Sequence, residues 1–146
     1  MQITKQFVTA GNAKFTISNP IGMTYEYQIK KTDRRAQAAG LLLVYSFDRG
    51  RRIYVGRLDA RRGIVTIGRR SRITESSMIY QVIRWACTVL WLGTEFPADY
   101  KAETLGRCGR CGRRLSDPNQ LFGPECQPNF QTLSRARRPT LREILA

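Results

Sequence analysis

Residues 41–67, "LLLVYSFDRGRRIYVGRLDARRGIVTI", decide the fold. Three runs rich in Leu, Val, Ile and Tyr are separated by two short polar segments, "DRGRR" and "DARRG", each with a glycine. Such short links join antiparallel neighbours, because a parallel return needs a long crossover. "LLLVYSF" is a continuous apolar run, which predicts a strand covered on both faces.

Working upstream, "AKFTISN" alternates: Ala13, Phe15 and Ile17 point one way, Lys14, Thr16 and Ser18 the other. "NPIG" supplies turn chemistry, and "MTYEYQIKK" alternates again through Tyr25, Tyr27 and Ile29. Downstream, "SSMIYQVIRWACTVLWLG" reads as a helix with Ser and Thr capping candidates before it and Gly93 to close it. Gln81, Arg84 and Thr88 form its narrow polar stripe. So apolar a helix must be covered, most simply by lying across the sheet. Trp85 and Trp91 then belong to the core. The expected fold is α+β: an antiparallel meander of about five strands packed against one long helix, occupying residues 1–96. Residues 97–130 are expected to form a small zinc-knuckle or treble-clef-like lobe, and residues 131–146 a basic tail.

The lobe is read from residues 106–126, "GRCGRCGRRLSDPNQLFGPEC", which hold three of the four cysteines. Cys108 and Cys111 form a C-x-x-C pair followed by Gly112. In a zinc knuckle the two thiolates lie on a tight turn whose N–H groups donate to sulfur, and glycine permits the positive φ that the turn needs. Cys126 follows Pro124, a residue suited to the first turn of a short helix. Structural zinc is almost always four-coordinate, yet the segment offers three thiolates and the chain has no histidine. Candidates for the fourth position are Cys87, Glu103, Asp117, Glu125 or water. Free thiols are the competing reading, and a redox C-x-x-C would need a βαβ context that is not evident.

These cysteines, with "GRRLSDP" and "GPEC" around them, resemble the signature of an uncharacterised domain family common in bacteriophages and mobile elements. That pattern runs approximately G-x-C-x-x-C-G-R-x-L-[ST]-x-P, then G-P-x-C. The upstream "GNAKFTISNPIGMTYEYQIKK" also resembles the strand pair that often precedes it. The resemblance implies a phage or mobile-element origin and zinc at Cys108, Cys111 and Cys126, and it implies no activity. Here the stretch between Cys111 and Cys126 is shorter than the family pattern.

Charge points to partners. Lys and Arg number 25 against 11 Asp and Glu, for a net charge of +14, and most of the cations are arginine. So strong a positive field captures polyanions, and the planar guanidinium pairs with phosphate and stacks on bases. Nine arginines fall between Arg49 and Arg72. Of these, Arg51, Arg52, Arg61, Arg62, Arg69 and Arg70 sit at predicted strand ends, where they are expected to line one rim of the sheet. Arg107, Arg110, Arg113 and Arg114 decorate the knuckle, and Arg135, Arg137 and Arg138 the tail. Tyr54 and Phe130 are available for base stacking.

No apolar run is long enough to span a bilayer, and "MQITKQFVTAGNAKF" lacks the features of a secretory signal. The expectation is a cytoplasmic protein without membrane contact. No paired carboxylates, phosphate loop or nucleophile constellation supports an enzyme such as a nuclease. Two functions remain. One is a non-enzymatic, zinc-stabilised nucleic-acid-binding protein making largely sequence-independent phosphate contacts to DNA or RNA. The other is an anti-CRISPR-type inhibitor that binds a host nucleic-acid-guided nuclease, a ribonucleoprotein, through the protein or its guide RNA.

Overall fold

The computed structural model describes residues 2–32 and 41–126. Its elements are α1 (Lys5–Val8), β1 (Asn12–Ser18), β2 (Thr24–Lys31), β3 (Leu42–Asp48), β4 (Arg51–Asp59), β5 (Ile64–Ile67), α2 (Met78–Leu92) and β6 (Lys101–Thr104). The six strands form one antiparallel sheet in the order β5-β4-β3-β2-β1-β6. The expected five-strand meander is present as β1 to β5. A sixth strand, drawn from the segment assigned to the cysteine lobe, returns beside β1 at the far edge. The chain leaves the sheet at β5 and re-enters it at the opposite edge, so α2 is the crossover between them.

Alternation sets which face is covered. Phe15, Ile17, Tyr27, Ile29, Val44 and Val65 are buried together with Tyr80, Ile83, Ala86 and Cys87 of α2. Two buried phenols tie the layers: the Tyr27 hydroxyl donates to the Ile79 carbonyl at 2.7 Å, and that of Tyr80 to the Val65 carbonyl at 2.8 Å. Burial, with smaller effects of Tyr25 and Cys87, raises the Tyr27 pKa, so the phenol remains a donor. Both Trp85 and Trp91, expected in the core, are half-buried at its margin. Trp85 packs on Phe96 and Tyr100, and the Trp91 indole donates to the Ala60 carbonyl at 2.9 Å.

Three features depart from the sequence reading. The helix is not long: α2 has 15 residues, bounded by Ser77 in extended backbone and by Gly93 at φ 70°. The one-turn helix α1 adds Phe7 and Val8 to the core, with the Thr4 side chain accepting from the Phe7 N–H. A bulge interrupts the β3–β4 ladder, where Val44 pairs with Gly56 but Tyr45 pairs with Tyr54. Val55 is therefore the unpaired residue, and it is fully buried.

If the two phenols fasten helix to sheet, Tyr27→Phe and Tyr80→Phe should each lower the unfolding free energy by about 1 kcal/mol. Ile83→Ala, which empties a fully buried site, should cost about 2–5 kcal/mol. Urea titration checks all three, with an unchanged slope reporting an unchanged fold.

Candidate metal centre and the arginines

The cysteine segment is built onto the start of β1. Gly109 accepts from the Asn12 N–H at 2.8 Å and donates to the Leu121 carbonyl at 3.0 Å. It lies so close to Phe7 that a Cβ there would come within 2.5 Å of the ring. Phe7 in turn meets Phe122 edge to face at 6.2 Å. Cys108 thus sits at 0% exposure among Phe7, Phe122 and the sheet core. The turn itself closes through Gly112 N–H to the Cys108 carbonyl at 2.9 Å and Cys108 N–H to the Arg113 carbonyl at 2.8 Å. Gly112 takes φ 77°, with the Asn12 amide against it where a side chain would be. The glycines of "CGRCG" therefore have separate duties: close approach at Gly109 and a left-handed backbone at Gly112.

The Sγ atoms of Cys108, Cys111 and Cys126 all lie within 4.8 Å of one another. Thiolates placed tetrahedrally at about 2.3 Å from zinc would be about 3.8 Å apart, a separation within that limit. Burial would raise the Cys108 pKa, but backbone N–H donors at Cys111, Gly123 and Arg110 and a hydrogen bond from Cys111 outweigh it, bringing the thiol down to about 7. Burial and the neighbouring Cys111 and Cys108 push Cys126 up to about 11. The three residues lie close enough to hold a metal ion, and all three line a cleft of about 420 Å³ that Arg113, Arg114 and Glu125 also line.

Among the described residues no further cysteine or carboxylate joins this group. Cys87 is buried on α2, its thiol pushed up to about 12 by desolvation, which holds it protonated and apolar in character. Glu103 pairs with Thr16 and Gln2 on β6, and Asp117 accepts from the Asn119 N–H. Glu125 lines the cleft without joining the trio.

The arginines are not gathered along one rim. Arg51 and Arg52 open β4, and the turn bearing Arg69 and Arg70 runs back along β4 as far as Tyr54, whose carbonyl accepts from the Ser71 hydroxyl at 2.9 Å. Arg61 and Arg62 lie at the opposite end of β4, where Asp59 accepts from both backbones and from the Arg62 side chain. The Arg62 guanidinium holds the Asp59 carboxyl below its ordinary pKa. Arg110, Arg113 and Arg114 are exposed on the knuckle, beside the Asn12 and Lys31 ends of β1 and β2. Arg107 has an internal duty: it donates to the Gly112 carbonyl at 3.1 Å and bridges to Arg114 across the turn. Arg135, Arg137, Arg138 and Phe130 lie outside the described residues. Sequence reasoning passed over Tyr45 and Phe47 as candidate contacts because their run reads as buried; both are half-exposed.

Titration with Co²⁺ should give a thiolate charge-transfer band that saturates at one equivalent. The band should vanish in Cys108→Ser, Cys111→Ser and Cys126→Ser, and persist at full intensity in Cys87→Ala, which should cost about 1 kcal/mol of stability by removing a buried atom.

Comparison of the chain with protein-family models, with curated proteins and with solved structures finds no match.

Proposed function

We propose that this chain is a non-enzymatic, zinc-stabilised nucleic-acid-binding protein of a phage or mobile element, acting in the cytoplasm through phosphate contacts with little sequence preference. One observation carries the reading. Nine of the ten candidate arginines on described residues are exposed, and the Arg62–Asp59 contact is the single ion pair among those residues. A protein that uses arginine mainly to build its own surface pairs it with acids. Here the guanidinium groups are left for an external polyanion, and their planar fork suits phosphate.

Zinc is the metal of choice for this reading because a thiolate trio in a C-x-x-C turn favours a soft or borderline ion, and zinc is the one that needs no redox partner. Its role is to hold the treble-clef-like turn that presents Arg110, Arg113 and Arg114. The fourth position falls to water or to a residue outside those described. No helix among the described residues is long and apolar enough to cross a membrane, which is compatible with the reading. Among the described residues α2 is the one helix longer than a turn, and its largely apolar surface favours phosphate contacts over base-edge contacts.

The test is fluorescence polarisation with labelled single-stranded DNA, duplex DNA and RNA from about 50 to 300 mM salt. Binding should weaken steeply with salt, and each arginine that contacts phosphate should, when replaced by alanine, reduce the log–log slope by about 1. Collapse of binding to all three probes by about 150 mM salt would overturn the reading. Pull-down of a host ribonucleoprotein would then favour the inhibitor of a guided nuclease.

A further inference from the structure

The face of the sheet turned away from α2 has a composition that core packing does not require. The register places Lys14, Gln28, Tyr45 and Tyr54 in one row across four strands. The row on one side contains Lys30, Leu43 and Arg57, and the row on the other contains Glu26, Phe47 and Arg52. Tyr45, Tyr54 and Phe47 are half-exposed there. Each is set by its surroundings. The Tyr54 ring lies against Gly68, where an added Cβ would meet it within 2.4 Å. Tyr45 and Tyr54 meet with ring centroids 5.7 Å apart. The Arg52 guanidinium stands 4.3 Å from the centre of Tyr45, and the Lys14 ammonium 5.6 Å from that of Phe47.

This pattern has the chemistry of a base-stacking surface. Every nucleobase has a π face that an aromatic ring can cover, and cations interleaved with the rings track the phosphates between bases. Tyr45 and Phe47 are two residues apart on β3, about 6.6–6.8 Å along the strand. That is about twice the 3.4 Å rise per nucleotide in a stacked strand. A polynucleotide reaching both rings must splay its bases, which a duplex does not offer without unstacking. Alternation places three acids on this face: Glu26 and Glu103 lie in the row of Phe47 and Arg52, on its β6 side, and Asp59 lies at the far end of β4, where Arg62 pairs with it. The aromatic and cationic ground is therefore that of β3 and the Arg52–Tyr54 half of β4.

The face is also joined to the cysteine turn. Gln28, buried in the row between Lys14 and Tyr45, donates to the Asn12 amide oxygen at 2.7 Å, and the Asn12 nitrogen packs on Gly112. The knuckle arginines thus border the same surface.

We infer that the open face of the sheet, centred on Tyr45, Tyr54 and Phe47, binds single-stranded nucleic acid by base stacking. This inference rests on the nucleic-acid reading above and assigns it a site and a strandedness.

The experiment compares a labelled oligo-dT single strand with an oligo-dA·dT duplex, using the full chain loaded with Zn²⁺ at about 150 mM salt. Tyr45→Leu and Phe47→Leu, which keep an apolar side chain on the strand, should each weaken single-strand binding about 5- to 100-fold. Duplex binding should be unchanged, and Tyr45→Phe should retain the parent affinity. Irradiation of a bromouracil-containing strand should join it to Tyr45, Tyr54 or Phe47, a readout that stands even if the leucine variants fold poorly. Four outcomes overturn the inference. If the leucine variants leave single-strand binding intact while Arg61→Ala and Arg113→Ala weaken it, the stacking site falls and the phosphate-binding reading stands. If crosslinks map only outside the face, or if Tyr45→Leu dissociates a dimer without affecting the single strand, the face serves another purpose. If the parent protein binds neither probe, both readings fall.

Discussion

Because Val55 has no partner on β3, the two halves of β4 are out of step by one residue, and both faces of the sheet depend on that offset. With uninterrupted pairing, Tyr45 would face Val55 and Ser46 would face Tyr54. Tyr54 would then be driven into the core and Val55 out of it, since a one-residue slip exchanges the faces of every side chain beyond it. The bulge instead buries Val55 in the core and sets Tyr54 opposite Tyr45 on the other face. It also explains how a short polar hairpin can carry Arg51 and Arg52 while the apolar strand behind it stays in register. Local twist increases at such a point, which suits a sheet that must wrap a helix of only 15 residues.

The second dependency runs through Gly109. Its lack of a side chain lets Phe7 close over the cysteine turn, and its carbonyl holds the Asn12 N–H at the start of β1. Cys108 is consequently a core residue as well as a candidate ligand. The segment 106–126 is therefore not attached to the body by a linker alone: its backbone bonds to β1, and Phe122 packs on α1. Any change in the geometry of the three sulfurs is transmitted to side chains that the sheet also needs.

The strands β1 to β5 and the helix α2 were legible from apolar periodicity, near two for most of the strands and 3.6 for the helix, and from the short Gly-bearing links β1–β2, β3–β4 and β4–β5. The three cysteines were legible from their spacing and from the glycines around them. Strand β6 was not, because "KAET" contributes a single buried apolar residue, Ala102, and becomes a strand through the main chain of β1. α1 is one turn long, too short for periodicity to register. The bulge is silent in sequence, since "YVG" fits an unbroken strand as well as a bulged one. "LLLVYSF" misled in an instructive way: a run apolar on both sides predicts cover on both sides, whereas Leu43, Tyr45 and Phe47 remain half-exposed. The arginines at predicted strand ends suggested one rim, but an antiparallel sheet puts successive turns at opposite ends of its strands. β4 is 9 residues long and separates Arg52 from Arg61 by its whole length.

Strand β5 has consequences for how molecules of this protein meet each other. It is only four residues long, forms one border of the sheet, and exposes Ile64. A bare border strand is a template for adding strands from another copy, the route to fibrils and tangled aggregates. Arg61 and Arg62 precede it across Gly63, and Arg69 and Arg70 follow it across Gly68, all four exposed. A second copy approaching border to border would have to bring four more guanidinium groups against these. Like charge thus guards the β5 border against the pairing of two copies.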